Sequence, residues 1–248
     1  MSAAGSLAAA PVSEHYEPDN LLDRLSDPRT LEQHYQQMMR RERELVERRL
    51  PLAGGDVLSV GCGWHPGRHL FPAPEFRLVG TDTDPERVRV AVERGEADDG
   101  FAGTAGALPL DDASFDVVLY RLVLHHVAYQ GPLRPCFEEA ARLLRPGGAM
   151  VAVEPGLWHP VGAGLALANR LGASERIHGT RDDVPLSPRA LLHESRRAGL
   201  KPELHAVTYT WRRMPRPLQR TLWPLDRQGS RRGLRALGHH LMLIARKD

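Results

Sequence analysis

A run of strand-forming residues that stops at a glycine loop constrains this chain more than any other feature. Residues 56–67 read DVLSVGCGWHPG, so β-branched and aliphatic residues lead directly into Gly61 and Gly63. Glycine has no Cβ, which lets the backbone come close to a ligand at the end of a buried parallel strand. The stretch therefore predicts a binding loop after the first strand.

A second strand, predicted at 77–81, leads into Asp82, which lies 21 residues after Gly61. A spacing of roughly 20 residues places a second-strand acid beside the ribose hydroxyls of a ligand bound to a βαβ unit. A ligand that contains a ribose is therefore expected at this loop.

The glycine spacing argues against a pyrophosphate. The third glycine, Gly67, falls one place later than the dinucleotide pattern requires, and Pro72 and Pro74 shorten the helix whose N-terminus would hold the phosphates. S-adenosylmethionine contains a ribose and no phosphate, so it fits the loop better.

The loop and Asp82 resemble the first and second motifs of the class I S-adenosylmethionine-dependent methyltransferases. Residues 114–127, SFDVVLYRLVLHHV, are similar to the fourth strand of that family and the turn beyond it, and LLRPGG at 143–148 is similar to the turn before its fifth strand. The resemblance covers about 31–248. It implies a Rossmann-like, doubly wound α/β fold, with a seven-stranded, mostly parallel sheet and an antiparallel last strand.

The resemblance also implies where S-adenosylmethionine binds. The implied cofactor residues are Gly61, Cys62, Gly63, Asp82, Thr83, Thr104, Ala105, Arg121 and Leu122. Two positions depart from the family pattern, because Ser59 and Thr104 stand where an acid is usual. These departures imply altered contacts to the ammonium end and to the adenine.

Methyl transfer from a sulfonium is an in-line displacement in a dry site, and an acceptor hydroxyl or ammonium must also lose a proton. His126, and then His125, are the candidate bases, because histidine has a suitable pKa. A structural hydrogen bond is an equally good interpretation of this pair. The candidates for contact with the acceptor are Tyr35, Trp158, His159 and His178.

No metal site is predicted. The adjacent pairs His125–His126 and His239–His240 lack the i, i+4 spacing of helical ligands, and there is no C-x-x-C motif. We expect His239–His240 to begin an edge strand.

Length and composition indicate one α/β enzyme domain. With 248 residues, 42% of them hydrophobic, the chain can bury a sizeable core. We expect a disordered or weakly ordered arm at 1–30 and a single domain at 31–248, with an acceptor-binding insertion at 156–188. The two cysteines, Cys62 and Cys136, do not suggest a disulfide framework, so a cytoplasmic location is expected.

The C-terminal part of the chain is basic, with eleven Lys and Arg against three Asp and Glu from 201 to 248. Much of this charge lies in a basic segment at 212–238, which suggests an anionic acceptor, a nucleic acid or a membrane surface, but a solvated face has the same composition. The favoured function is methyl transfer to an oxygen or nitrogen of a small metabolite or natural-product intermediate. RNA or lipid/prenyl methylation, and a non-catalytic cofactor-binding regulatory role, remain as alternatives.

Overall fold

A computed structural model of the chain describes residues 27–173 and 183–248. Most of the predicted N-terminal arm and His178 therefore lie outside the described residues. Within them, no helix is long and apolar enough to cross a membrane.

The chain alternates strands and helices. The strands are β1 (Gly55–Val60), β2 (Phe76–Asp82), β3 (Asp99–Ala102), β4 (Phe115–Arg121), β5 (Leu144–Pro155), β6 (Lys201–Thr208) and β7 (His240–Arg246). The helices are α1 (Pro28–Arg49), α2 (Pro85–Glu93), α3 (Leu124–Gln130), α4 (Arg134–Leu143), α5 (Pro160–Arg170), α6 (Pro188–Arg197) and α7 (Arg216–Asp226). Residues 61–75, between β1 and β2, form turns without a helix, as the two prolines predict.

The seven strands form one sheet in the order β3-β2-β1-β4-β5-β7-β6. The neighbours from β3 to β5 pair in parallel, whereas β7 is antiparallel to both β5 and β6. This arrangement confirms the predicted Rossmann-like sheet, including its antiparallel ending.

Each central strand contributes to a core on both faces of the sheet, because successive side chains point in opposite directions. Leu58 and Val118 pack in the cluster that contains Phe137 of α4. Val57 and Val117 belong to the cluster on the other face, which also contains Met38 and Leu45 of α1. Burial on both faces explains why these strands read as nearly continuous apolar runs.

The strand register brings the predicted binding positions together. Val60 pairs with Thr81 of β2 on one side and with Tyr120 of β4 on the other. Gly61, Asp82 and Arg121 are the next residues along these three strands, so they share one edge of the sheet. Strand order reverses between β1 and β4, which is where ligands bind in doubly wound folds.

The prediction that His239–His240 begins an edge strand is wrong. Strand β7 lies between β5 and β6, and residues 241–245 are fully buried. Because β7 runs antiparallel to β5, its first residue pairs with the last residue of β5. The two histidines therefore lie at the same end of the sheet as the carboxyl ends of β4 and β5.

Candidate active site

The glycine bend after β1 has a backbone that requires glycine. Gly61 and Gly63 have φ values of +64° and +51°, a region that residues with a Cβ rarely adopt. A Cβ on Gly61 would also come within 2.6 Å of the Val123 side chain, whereas a Cβ on Gly63 would meet no atom within 4 Å. Gly61 is therefore needed for packing, and Gly63 faces open space.

Asp82 connects the end of β2 to the bend. Its Oδ2 accepts a hydrogen bond from the Gly63 N–H at 2.9 Å, and its Oδ1 accepts one from the Asp84 N–H at 3.0 Å. A carboxylate offers about four acceptor positions, so two are left for the hydroxyls of a ligand. Asp84 itself caps α2 by accepting from the Glu86 N–H, as its position before Pro85 predicts.

The other predicted cofactor residues differ in their burial and in the contacts that they make. The Cys62 side chain is buried against Gly80 of β2, so it packs the loop onto the sheet, and burial raises the pKa of its thiol to about 12. Thr83 and Thr104 are exposed. The Ala105 carbonyl accepts from the Tyr120 hydroxyl at 3.3 Å, which ties the predicted adenine loop to β4.

Leu122, at the end of β4, has a strained backbone. Its φ is +60°, although it is not a glycine, and its N–H donates to the Val153 carbonyl of β5 at 2.8 Å. Such conformations cost about 1–3 kcal/mol and cluster at functional sites. This backbone conformation lies at the turn from β4 into α3. After the turn, the Val123 side chain packs on Gly61.

A buried ion pair joins α1 to the end of β4. The fully buried Glu42 carboxylate accepts from Arg121 Nε at 2.8 Å and lies 2.9 Å from His69 Nε2. Burial raises the pKa of Glu42, but Arg121 and His69 outweigh this effect and lower it to about 2. Arg121 thus uses its side chain to hold α1 over the site.

We expect Glu42→Gln to destabilise the protein by roughly 3 kcal/mol, because Arg121 would stay buried without its counter-charge. The carboxylate stabilises the native state above its unfolded pKa near 4.5, and this stabilisation is lost as the pH falls towards 2. Urea unfolding at pH 7 and pH 4 measures both effects. Glu47→Gln, which removes only an exposed pair with Arg43, should change the unfolding free energy by less than about 1 kcal/mol.

Glu154, near the end of β5, accepts hydrogen bonds from the N–H groups at the start of α3. Its Oε1 accepts from the N–H groups of Val123 and Leu124 at 3.0 and 2.8 Å, and its Oε2 from the His125 N–H at 3.3 Å. The first N–H groups of a helix have no partner within it, and a carboxylate beside them both accepts their hydrogen bonds and interacts favourably with the helix dipole. This buried acid therefore positions the predicted histidine pair.

His125 lies between two carboxylates. Its Nδ1 is 2.7 Å from Glu154 Oε2, and its Nε2 is 3.3 Å from Asp183 Oδ1. Burial lowers the pKa of His125, but the hydrogen bonds to Asp183 and Glu154 raise it to about 9. The His126 ring packs against it at an interplanar angle of 40°, with centroids 4.0 Å apart.

A cavity of about 250 Å³ opens at this end of the sheet. Its lining includes five histidines, namely His34, His125, His126, His239 and His240. Its other polar and aromatic residues include Tyr35, Asp183, Trp211, Arg212 and Arg213. Burial lowers the pKa of His34 to about 4 and that of His240 to about 3, so these rings are neutral at physiological pH.

Residues 58–152 match a family model described as a methyltransferase domain. The chain is 37% identical over 117 residues to a probable S-adenosylmethionine-dependent methyltransferase of Mycolicibacterium smegmatis, a match that covers 46% of this chain and 44% of the relative. Residues 58–152 therefore belong to a methyltransferase domain of the class I S-adenosylmethionine-dependent type. S-adenosylmethionine is accordingly the cofactor of this domain.

Two further comparisons agree with this methyltransferase domain. The 27-O-demethylrifamycin SV methyltransferase of Amycolatopsis mediterranei is 36% identical over 124 residues, which are 47% of this chain and 44% of the relative. The chain thus spans less than half of the length of these two relatives. A crystal structure from Thermotoga maritima, described as a methyltransferase and possible histamine N-methyltransferase, has the same fold, with a TM-score of 0.60 and 16% identity over 87% of this chain and 94% of that one.

Two of the predicted acceptor residues of the methyltransferase domain lie away from the cavity wall. His159 caps α5, because its Nδ1 accepts from the Val161 N–H at 3.2 Å and its Nε2 is 3.2 Å from the Tyr209 carbonyl. Trp158 is 40% exposed and borders a separate groove on α5. Tyr35 does line the cavity, and its hydroxyl accepts from Arg212 at 3.0 Å.

The sequence interpretation missed Glu154, Asp183 and the histidines of α1 and β7. Glu154 follows the apolar run of β5, and a single acid at the end of a buried strand was a usable signal. The sequence offered no comparable signal for His34, since it meets His239 at one cavity only in the folded chain.

Proposed function

We propose that the protein transfers the methyl group of S-adenosylmethionine to an oxygen or nitrogen of a small metabolite or natural-product intermediate. The main support for this proposal is the position of the turn at Leu122 and Val123. Val123 packs on Gly61 of the glycine bend, and Leu122 lines the cavity. One turn therefore separates the proposed cofactor position from a cavity of suitable size for an acceptor.

The cofactor is proposed to lie across the ends of β1, β2 and β4. Asp82 would accept from the ribose hydroxyls with its remaining lone pairs, while the backbone at Gly61 and Gly63 would approach the methionine end. Thr83, Thr104 and Ala105 would border the adenine. Cys62 would support this site by packing the bend on β2.

In-line transfer needs the acceptor atom held opposite the sulfur, with water excluded. The cavity lies beside the turn that would carry the methionine end, and histidine, aromatic and apolar side chains enclose it. Both ring nitrogens of His125 face carboxylates, so neither is placed to take a proton. His126, which lines the same cavity, is therefore the proposed base of the pair.

The cavity supports a small acceptor with anionic or aromatic character. Tyr35 and Trp211 offer ring faces, and Arg212 and Arg213 bring two positive charges to the wall. The first part of the basic segment thus borders the proposed acceptor site, which favours a small anionic molecule over RNA or a membrane. The relative from Amycolatopsis mediterranei is named for methylation at an oxygen, which favours an oxygen acceptor here.

The same arrangement supports the predicted domain boundaries. Strands β6 and β7 complete the sheet, and Leu165, Asp183 and Pro185 contribute to the cavity. We therefore propose one methyltransferase domain over 31–248, in which 156–188 helps to bind the acceptor.

Calorimetry with S-adenosylhomocysteine, the demethylated product, tests the cofactor site directly. We expect the wild-type protein to bind it and Gly63→Ala to lose at least about tenfold in affinity, because the added methyl group would occupy the open space beside the bend. Gly63→Ala should also destabilise the fold by about 1–2 kcal/mol, the usual cost of a Cβ at this φ.

Gly199→Ala is the matched control for this test. Gly199 has a φ of +79°, follows α6 and likewise has no atom within 4 Å of an added Cβ. It should lose similar stability and keep its affinity for S-adenosylhomocysteine. Equal loss of affinity in both variants would show that strain alone explains the effect, and no binding by the wild-type protein would refute the proposal.

A further inference from the structure

We propose that His125, His126 and Asp183 form a binding site for a divalent transition-metal ion in the acceptor cavity. Each residue offers one ligand atom, and the three atoms all lie within 4.8 Å of one another. Two imidazoles and one carboxylate are a donor set that suits zinc and iron(II). The proposal concerns residues that the sequence interpretation assigned to proton transfer or did not select.

The distance between two of the proposed ligands already suits a bound ion. His125 Nε2 lies 3.3 Å from Asp183 Oδ1. Two ligands at about 2.0–2.1 Å from a tetrahedral zinc ion stand about 3.3 Å apart. This distance therefore allows the nitrogen and the oxygen to share an ion, and the ligand atom of His126 lies within 4.8 Å of both.

The surroundings of His125 match the second layer of a metal site. A metal-bound histidine usually donates its other ring N–H to a carboxylate, which fixes the tautomer and the orientation of the ring. His125 Nδ1 lies 2.7 Å from Glu154, and this carboxylate is itself held by the N–H groups of Val123 and Leu124. The arrangement leaves Nε2 directed at Asp183, where the ion would lie.

The cavity leaves room for a further ligand on the ion. Three protein ligands with an open position are typical of catalytic zinc, whereas structural sites are closed by four. Arg212 and Arg213 line the same cavity, so they would favour an anionic ligand at the open position. The buried Nδ1 atoms of His239 and His240 have no hydrogen-bond partner in the structure, and they add polar groups to this wall.

The role of the ion rests on the proposed methyl transfer. An acceptor hydroxyl on the ion would lose its proton to solvent more readily, because the metal lowers its pKa. The oxygen would then bond to the methyl carbon as the carbon–sulfur bond breaks, which leaves S-adenosylhomocysteine. In this arrangement His126 acts as a ligand, and the metal takes over the task assigned to a base.

The test is metal binding by the full chain, prepared without a histidine tag. We expect one Zn²⁺ per chain in competition with a chromophoric chelator, and a visible absorption band of tetrahedral type when Co²⁺ is added. His126→Ala and Asp183→Asn should each weaken Zn²⁺ binding by more than the roughly 10–100-fold that loss of an outer partner costs. His193→Ala, which removes an exposed histidine on α6, should leave the affinity unchanged.

Three results would overturn the metal site: no stoichiometric binding by the wild-type protein, unchanged affinity in both ligand variants, or equal loss in His193→Ala. Asp183 is partly exposed, so Asp183→Asn should keep its fold, and its thermal unfolding checks this. Both ligand variants should still bind S-adenosylhomocysteine. Metal binding without S-adenosylhomocysteine binding would refute the proposed function and leave the metal site standing.

Discussion

Replacing Glu154 with alanine should lower the free energy of unfolding by on the order of 5 kcal/mol. The variant would leave three backbone N–H groups at the start of α3 and the His125 ring without their acceptor, in a fully buried position. Each unsatisfied buried donor costs about 1–3 kcal/mol. Since whole domains are stable by about 5–15 kcal/mol, a large fraction of the protein should be unfolded at 37 °C.

Urea unfolding followed by circular dichroism measures this loss. Glu154→Gln should fall between the wild type and Glu154→Ala, because one amide oxygen can still accept from the helix N-terminus. Glu138→Ala, which removes an exposed acid of α4, should change the unfolding free energy by less than about 1 kcal/mol. A Glu154→Ala variant as stable as Glu138→Ala would mean that water replaces the carboxylate and that α3 is not held in this way.

Replacing Asp82 with alanine should reduce the affinity for S-adenosylhomocysteine by more than about 100-fold. Two hydrogen bonds from ribose hydroxyls to a carboxylate contribute about 1.5–3 kcal/mol each, and every 1.4 kcal/mol corresponds to a factor of ten. The variant also frees the N–H groups of Gly63 and Asp84, so the glycine bend loses its anchor to β2.

Asp84→Ala separates ligand binding from loop stability. Asp84 lies two residues away and caps α2, so its loss should cost about 1 kcal/mol of stability and leave the affinity for S-adenosylhomocysteine nearly unchanged. Calorimetry of both variants, with their unfolding free energies, gives the comparison. Unchanged affinity in Asp82→Ala would mean that the ribose is bound elsewhere.

The sequence predicted the sheet, and the meeting of Gly61 with Asp82 at one edge of it, because both depend on local signals. Apolar runs near Val57 and Val117 mark strands that are buried on both faces, and Gly61 marks a backbone that other residues cannot adopt. The position of Asp82 followed from its spacing of 21 residues after Gly61. Each of these features requires only the neighbouring residues and the geometry of a parallel sheet.

The roles of individual polar residues were harder to predict. Arg121 is one of the implied cofactor residues, and only the folded chain shows that its side chain pairs with Glu42 from α1, 79 positions earlier in the chain. His159 was a candidate for contact with the acceptor, yet its Nδ1 caps α5 and its Nε2 lies against the Tyr209 carbonyl, 50 positions later in the chain. Partners such as these depend on how helices pack across the sheet, which periodicity does not specify.

By itself, the sequence determined that this chain forms a doubly wound sheet with a glycine bend beside an acid at one edge, because strand propensity, backbone conformation and spacing are properties of short segments. The tertiary structure alone decided which side chains line the proposed acceptor cavity. It brings His125, Asp183 and His240 to one cavity from three distant parts of the chain. Their distances, and hence the proposed metal site, exist only once α3 is capped by Glu154 and β7 lies between β5 and β6.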